Sequence, residues 1–108
     1  MAKLKLTPAV LALIAERFKV LAEPVRLQLL TALRAGEKTV GELVDETALT
    51  QANVSKHLQL LHTHGFVGRR KDGLHVYYRI ADQSVFKLCE IMCGRLEADA
   101  AARRHVLS

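Results

Sequence analysis

No apolar run in this 108-residue chain approaches the roughly 18 residues of a membrane span. The opening Met1-Ala-Lys-Leu-Lys5 also lacks the apolar run and small-residue cleavage site of a secretory leader. These two absences predict a cytoplasmic protein with no membrane partner. There are only two cysteines, and in a reducing compartment they are expected to be free thiols, not a structural staple. The sequence has no Gly-rich phosphate loop and no paired carboxylates. The cysteines lie in a helix among Leu, Ile and Met, with no imidazole near them in sequence to serve as a base, so enzyme chemistry is not expected. His57, His62 and His64 are close together, but no two share a helical face with a Cys or carboxylate to complete a zinc set.

What is present is a modest core and an uneven charge. Half the residues are hydrophobic and the mass is 12.0 kDa, enough for a single domain over residues 1–108 and too little for a second. The net charge of +5 is concentrated. Lys56, Arg69, Arg70, Lys71 and Arg79 face only Asp72 between residues 50 and 80, whereas Glu37, Glu42, Asp45 and Glu46 face only Lys38 between 36 and 49. A basic segment beside an acidic one predicts a directed surface for a polyanion.

The stretch from Thr50 to His62 looks built to meet it. Val54, Leu58 and Leu61 make one helical stripe, and Ala52, Asn53, Lys56 and Gln59 fall opposite, with no acid among them. Thr50 is an N-cap and Gly65 a stop. Small, amide, hydroxyl and cationic groups near the N-terminal half of a short helix suit a DNA major groove.

In chain order, Pro8 to Leu21 reads as a first helix, apolar around most of its girth. Pro24 opens a second, with Val25, Leu29, Leu30 and Leu33 as its stripe. Thr39 caps a short third helix to about Glu46, with Val40, Leu43 and Val44 inward, and a brief turn leads to the helix just described. That succession is a helix-turn-helix pattern. After Gly65 the period changes to two: Phe66–Arg70 and His75–Ile80 flank Lys71-Asp-Gly-Leu74, predicting a basic two-stranded hairpin, a wing. Val76, Tyr78 and Ile80 share one face of it, with His75, Tyr77 and Arg79 on the other. A last helix from Asp82 or Ser84 to about Arg104 carries Val85, Phe86, Leu88, Cys89, Met92, Cys93, Leu96 and Ala100 on a broad apolar face. It is longer than a small domain can cover, so part of it is expected to meet a second chain. The expected fold is mainly α with a β-hairpin wing, in the order α-α-α-α-β-β-α.

With these elements in place, the sequence resembles the ArsR/SmtB family of bacterial winged-helix repressors from about Leu13 to Leu96. The motifs that carry the resemblance are Leu21-Ala-Glu-Pro-Val-Arg-Leu27, Val54-Ser-Lys-His-Leu58 with Leu61, Gly65-Phe-Val67, and Arg69-Arg-Lys-Asp-Gly-Leu-His-Val-Tyr-Tyr-Arg79. The resemblance implies a homodimer joined through the first and last helices, here through Leu13, Val85, Leu88, Met92 and Leu96. It also implies paired recognition helices on a near-palindromic double-stranded operator, released by a ligand or by thiol chemistry. Gln51, Asn53, Ser55, Lys56 and His57 occupy the recognition helix, His57 contacting either phosphate or a neighbouring side chain, and Arg69, Arg70, Lys71 and Arg79 are the wing cations.

The family's known sensing sites do not carry over. The arsenic-type cysteine cluster would fall at Thr39, Gly41 and Val44, none a thiol. The zinc-type site keeps Asp82 but has Ser84, Arg95 and Ala98 at its other places. Cys89 and Cys93 remain, one turn apart on the last helix. They read either as packing or as a dithiol sensor holding a trivalent metalloid, As(III) or Sb(III), as inducer, with oxidative or reactive-sulfur chemistry as the alternative. No resident cofactor is required. The rival reading from another class is a winged helix used for protein–protein contact.

Overall fold

The computed structural model describes residues 4 to 107, so the first three residues, read above for a leader, lie outside it. Helix α1 spans Pro8–Leu21 and starts where Thr7 Oγ1 accepts the Val10 N–H. Helix α2 spans Pro24–Leu33; the Glu23 carboxylate accepts the N–H groups of Val25 and Arg26, two of the four amides that a helix start leaves without an internal partner. A two-residue strand β1, Lys38–Thr39, leads directly into α3, Val40–Thr47. Thr39 and Glu42 there form a reciprocal capping box.

Ala48 ends α3 in the left-handed region at φ 58°, the only described non-glycine residue with positive φ. The turn it makes, Ala48 to Thr50, sets up α4, Gln51–Thr63. Strands β2 (Val67–Asp72) and β3 (His75–Ile80) follow, then α5, Ser84–Leu107. The element order agrees with expectation, and the fold is a winged helix-turn-helix.

The wing differs in two respects. It belongs to a three-stranded antiparallel sheet ordered β1-β3-β2, because Lys38 and Thr39 pair with Tyr78 and Tyr77. β2 also runs on to Asp72, which pairs with His75 and leaves a two-residue turn, Gly73-Leu74, with Gly73 at φ 61°. Glycine at the first turn position is what a two-residue hairpin of right-handed twist requires. The register puts Val67, Arg69, Lys71, Val76, Tyr78 and Ile80 on one face and Arg70, Asp72, His75, Tyr77 and Arg79 on the other.

A single core joins these elements. Leu29, Leu30 and Leu33 of α2 meet Leu43 of α3 and Val54, Leu58 and Leu61 of α4, and Phe66, Val67 and Tyr78 root the wing in the same cluster. From α5 only Val85 and Phe86 enter it. The whole helix is about 36 Å long at 1.5 Å per residue and is largely exposed beyond Phe86, and the Cα radius of gyration is 17.0 Å, against about 13 Å for a compact chain of this length.

Candidate nucleic-acid interface

On α4, Gln51, Asn53 and Lys56 are exposed, and no side-chain hydrogen bond engages them. Their freedom follows from the helix phase: the stripe Val54–Leu58–Leu61 is fully buried and turns the opposite side outward. Ser55 and His57 are half-buried at the two borders of that stripe. Of the two partners considered for His57, the structure supplies a neighbouring side chain, since Arg26 Nη1 lies 3.2 Å from its Nδ1.

The four wing cations divide by face. Arg69 and Lys71, beside Val76 and Tyr78, have no hydrogen-bond or ion-pair partner among the described residues. Arg70 is engaged: its guanidinium forks onto the Glu37 carboxylate, with Nη2–Oε1 at 2.6 Å and Nε–Oε1 at 3.0 Å, and stacks 4.4 Å from the Tyr77 ring centroid. The hydrogen bond from Arg70 holds the Glu37 carboxyl below its usual range, and Glu37 in turn raises Arg70. Arg79 lies across Gly68, where a Cβ would sit only 2.7 Å from its guanidinium carbon. Arg70, listed above among the wing cations, is therefore also a clamp between the wing and the α2–β1 connection.

Three of the four acids in the block beside the wing are accounted for in the same way, while Asp45 stays exposed. Glu37 pairs with Arg70, Glu46 holds Lys38 at 2.6 Å, and Glu42 caps α3. These carboxylates are spent on internal partners, which leaves the outer face of α4 and the Arg69–Lys71 face cationic.

Two scaffold residues, Arg26 and Arg17, were given no role in the sequence reading. Arg26 donates through Nε to the Val20 carbonyl at the end of α1 while touching His57 on α4. Arg17 donates to the His64 carbonyl at 2.9 Å and to Asp82 Oδ2 at 3.0 Å, and lies over the Phe66 ring. Asp82, the one residue matching a zinc-type ligand, is occupied by Arg17 and by the N–H and hydroxyl of Ser84. The cluster Glu16, Arg17 and Lys19 on an otherwise apolar helix was the available hint for Arg17. No group of three or more His, Cys, Asp or Glu is placed to hold a metal ion among the described residues.

The Ser84 hydrogen bonds, then Arg17, hold the Asp82 carboxyl below its ordinary value. A carboxylate with a lowered folded-state pKa adds stability that is full above its unfolded pKa, about 3.9, and is lost as pH falls through the folded value. Asp82→Asn is therefore expected to cost about 1 kcal/mol at pH 7, a gap that is smaller at about pH 3, below the unfolded value. Urea unfolding midpoints at the two pH values check it; an equal gap at both would place Asp82 outside the charge network.

The expected dimer face is mostly open. Leu13 is 64% exposed, Met92 60% and Leu96 61%, and Leu88, Ile91, Leu11 and Phe18 are also exposed. Val85 is corrected: at 1% exposure its own chain's core consumes it, because α5 docks by its first turn. Cys89 and Cys93 are both free and exposed. Cys89 lines an apolar groove of about 270 Å³ with Phe18, Leu21, Leu27 and Met92, and Cys93 lies outside it. Among the described residues no helix is long and apolar enough to cross a membrane.

Comparison with known proteins agrees with this architecture. Residues 23–68 match the family described as bacterial regulatory protein, arsR family. A Streptomyces lividans protein named a probable mercury resistance operon repressor is 41% identical over 86 residues, covering 79% of this chain and 67% of that protein. The chain spans half the length of another curated relative that it matches. Among solved structures, Mycobacterium tuberculosis Rv0081 superposes with a TM-score of 0.78 at 32% identity, covering 90% of this chain and 98% of the other. The Mycobacterium bovis Mb0332 fragment, a homodimeric winged helix-turn-helix DNA-binding domain, gives 0.70 at 34% identity, covering 92% and 91%. With the helix-turn-helix matched by the family model and a named repressor 41% identical over 86 residues, the chain belongs to the ArsR family of bacterial regulatory proteins, and so is a regulator and not an enzyme.

Proposed function

We propose that the chain is a homodimeric transcriptional repressor that holds a near-palindromic operator through paired α4 helices and wings, and releases it when Cys89 and Cys93 take up a soft, thiophilic inducer. The observation that carries the DNA reading is the set of side chains left unpartnered: Gln51, Asn53 and Lys56 on α4, Arg69 and Lys71 on one wing face. A protein-docking winged helix would have no reason to keep these groups free while pairing the neighbouring Arg70 internally. The open apolar surface of α1 and α5 supports the dimer, as does the homodimeric Mycobacterium bovis relative. For the inducer, trivalent arsenic or antimony suits two thiolates on adjacent turns, and the mercury-resistance name of the Streptomyces lividans relative favours soft-ion chemistry.

The test is selection from a random duplex library followed by salt titration. A repressor should select a sequence bound at least about a thousand-fold more tightly than random duplex. A protein-contact module should bind no duplex selectively. Gln51→Ala or Ser55→Ala is expected to change which bases are preferred, because base-edge contacts carry the sequence information. Arg69→Ala or Lys71→Ala should weaken all duplexes alike and reduce the slope of log affinity against log salt by about one unit. Arg70→Ala, whose charge Glu37 already matches, should change the slope by less than half of that. Equal slope changes for Arg69 and Arg70 would remove the distinction between the free and the clamped cation.

A further inference from the structure

We propose that Arg26 is a positioning residue for the DNA contact, holding His57 in the tautomer that offers its Nε2–H to a phosphate of the duplex backbone. This rests on the reading of α4 as the groove-entering helix. Arg26 stands in the first turn of α2, where the Glu23 carboxylate fixes its backbone N–H, and its side chain reaches the Val20 carbonyl of α1 and Nδ1 of His57 on α4. A guanidinium has donors only and keeps its proton, so at 3.2 Å the imidazole Nδ1 must be the acceptor. A neutral imidazole with its lone pair on Nδ1 carries the proton on Nε2.

Nε2 has no partner among the described residues. Among the described residues no buried side-chain nitrogen or oxygen is left unpaired, so Nε2 reaches solvent. His57 sits at the border between the outward face carrying Lys56 and the buried stripe of Val54, Leu58 and Leu61. In a helix lying in a groove, the crest meets base edges and the border meets the groove wall, which is sugar and phosphate. The half-buried imidazole thus presents a single fixed donor to that wall. Because the ring is neutral it displaces no counterion, and its contribution, unlike that of Lys56 or Arg69, does not depend on salt.

The experiment uses the whole chain and a mixed-sequence duplex of about 30 base pairs, long enough for two half-sites. Asparagine at 57 places an amide oxygen near the Nδ1 position and keeps the Arg26 anchor but has no far donor; glutamine reaches the Nε2 position with an amide N–H. His57→Asn is expected to weaken binding about ten-fold with an unchanged salt slope, and His57→Gln to restore most of the loss. Nitrogen-15 NMR of the free protein at neutral pH should show His57 with its proton on Nε2, and Arg26→Leu should turn that into a mixture of tautomers. Arg26→Leu should weaken binding as much as His57→Asn does, with no further loss in the double variant. A wild-type His57 protonated on Nδ1, or a His57→Asn variant that binds as tightly as wild type, overturns the proposal whether or not Arg26→Leu folds. A wild-type chain with no salt-dependent duplex binding overturns the DNA reading itself, and the phosphate contact with it, while the tautomer seen by NMR tells that failure apart.

Discussion

Met92→Glu is expected to turn a dimer into monomers at micromolar concentration and to lower operator affinity about a hundred- to ten-thousand-fold, the range lost when two linked contacts become one. Met92 lies with Leu96 and Ile91 on the part of α5 beyond Phe86, at 60, 61 and 63% exposure in the single chain. Burying such a side chain contributes about 1.5–3 kcal/mol, and a two-fold interface counts every substitution twice. A glutamate there forfeits that burial and puts a charge into an apolar face. Leu96→Glu and Leu13→Glu should act in the same direction. Because all three positions are exposed within their own chain, circular dichroism and unfolding of the monomeric variants should stay close to those of the wild type extrapolated to low concentration. Sedimentation at micromolar concentration reads the result, and a monomeric wild type would sink the dimer reading outright.

Cys93→Ser is expected to keep operator binding and lose release by arsenite. Cβ atoms at i and i+4 on a helix are about 5–6 Å apart, and a disulfide needs about 3.5–4.5 Å, so oxidation within one α5 would have to deform the helix. A soft metalloid can bridge the two thiolates across one turn, with a partner-chain thiolate as a third ligand if the helices meet near the two-fold axis. To move the protein from almost wholly bound to almost wholly free, the inducer must favour the DNA-free form about 10⁴-fold. Cys89 lines the apolar groove against α1 and Cys93 lies outside it, so a thiol reagent should label Cys93 first. If the double serine variant still lets go of DNA in response to arsenite, peroxide and polysulfide, the cysteines only pack and the inducer acts elsewhere.

The helix boundaries were legible because the chain punctuates them. Pro8, Pro24 and Thr50 stand at or just before three helix starts, and Gly65, at φ 79°, stands just past the end of α4. The third strand was not: two residues are too few to show alternation, and Thr39, which pairs with Tyr77, carried the equally valid reading of an N-cap. Asp72-Gly73 signalled the hairpin but not its register, since the dipeptide fits a turn centred on it or one starting on it. Surface exposure was inferred correctly for Lys56 from helix phase alone. Arg70 is exposed as well, but its pairing was not legible, because its partner, Glu37, is 33 residues away in sequence, and a local tally of charges cannot show which pairs a sheet brings together. Val85 failed for a related reason: periodicity identifies an apolar face but not which chain covers which turn of it.

The short strand β1 bears on how such a protein could let go of DNA. Its two residues tie β3 to the cap of α3, and the Glu37–Arg70 fork pins the same sheet to the end of α2, so wing and recognition helix travel together as one solid. A solid cannot loosen its grip by flexing one arm. In the proposed dimer it would instead be swung, with α1 and α5 as the axle, and leverage favours that: a turn of about 5° across the roughly 34 Å between half-sites would carry the far helix about 3 Å, the length of a hydrogen bond.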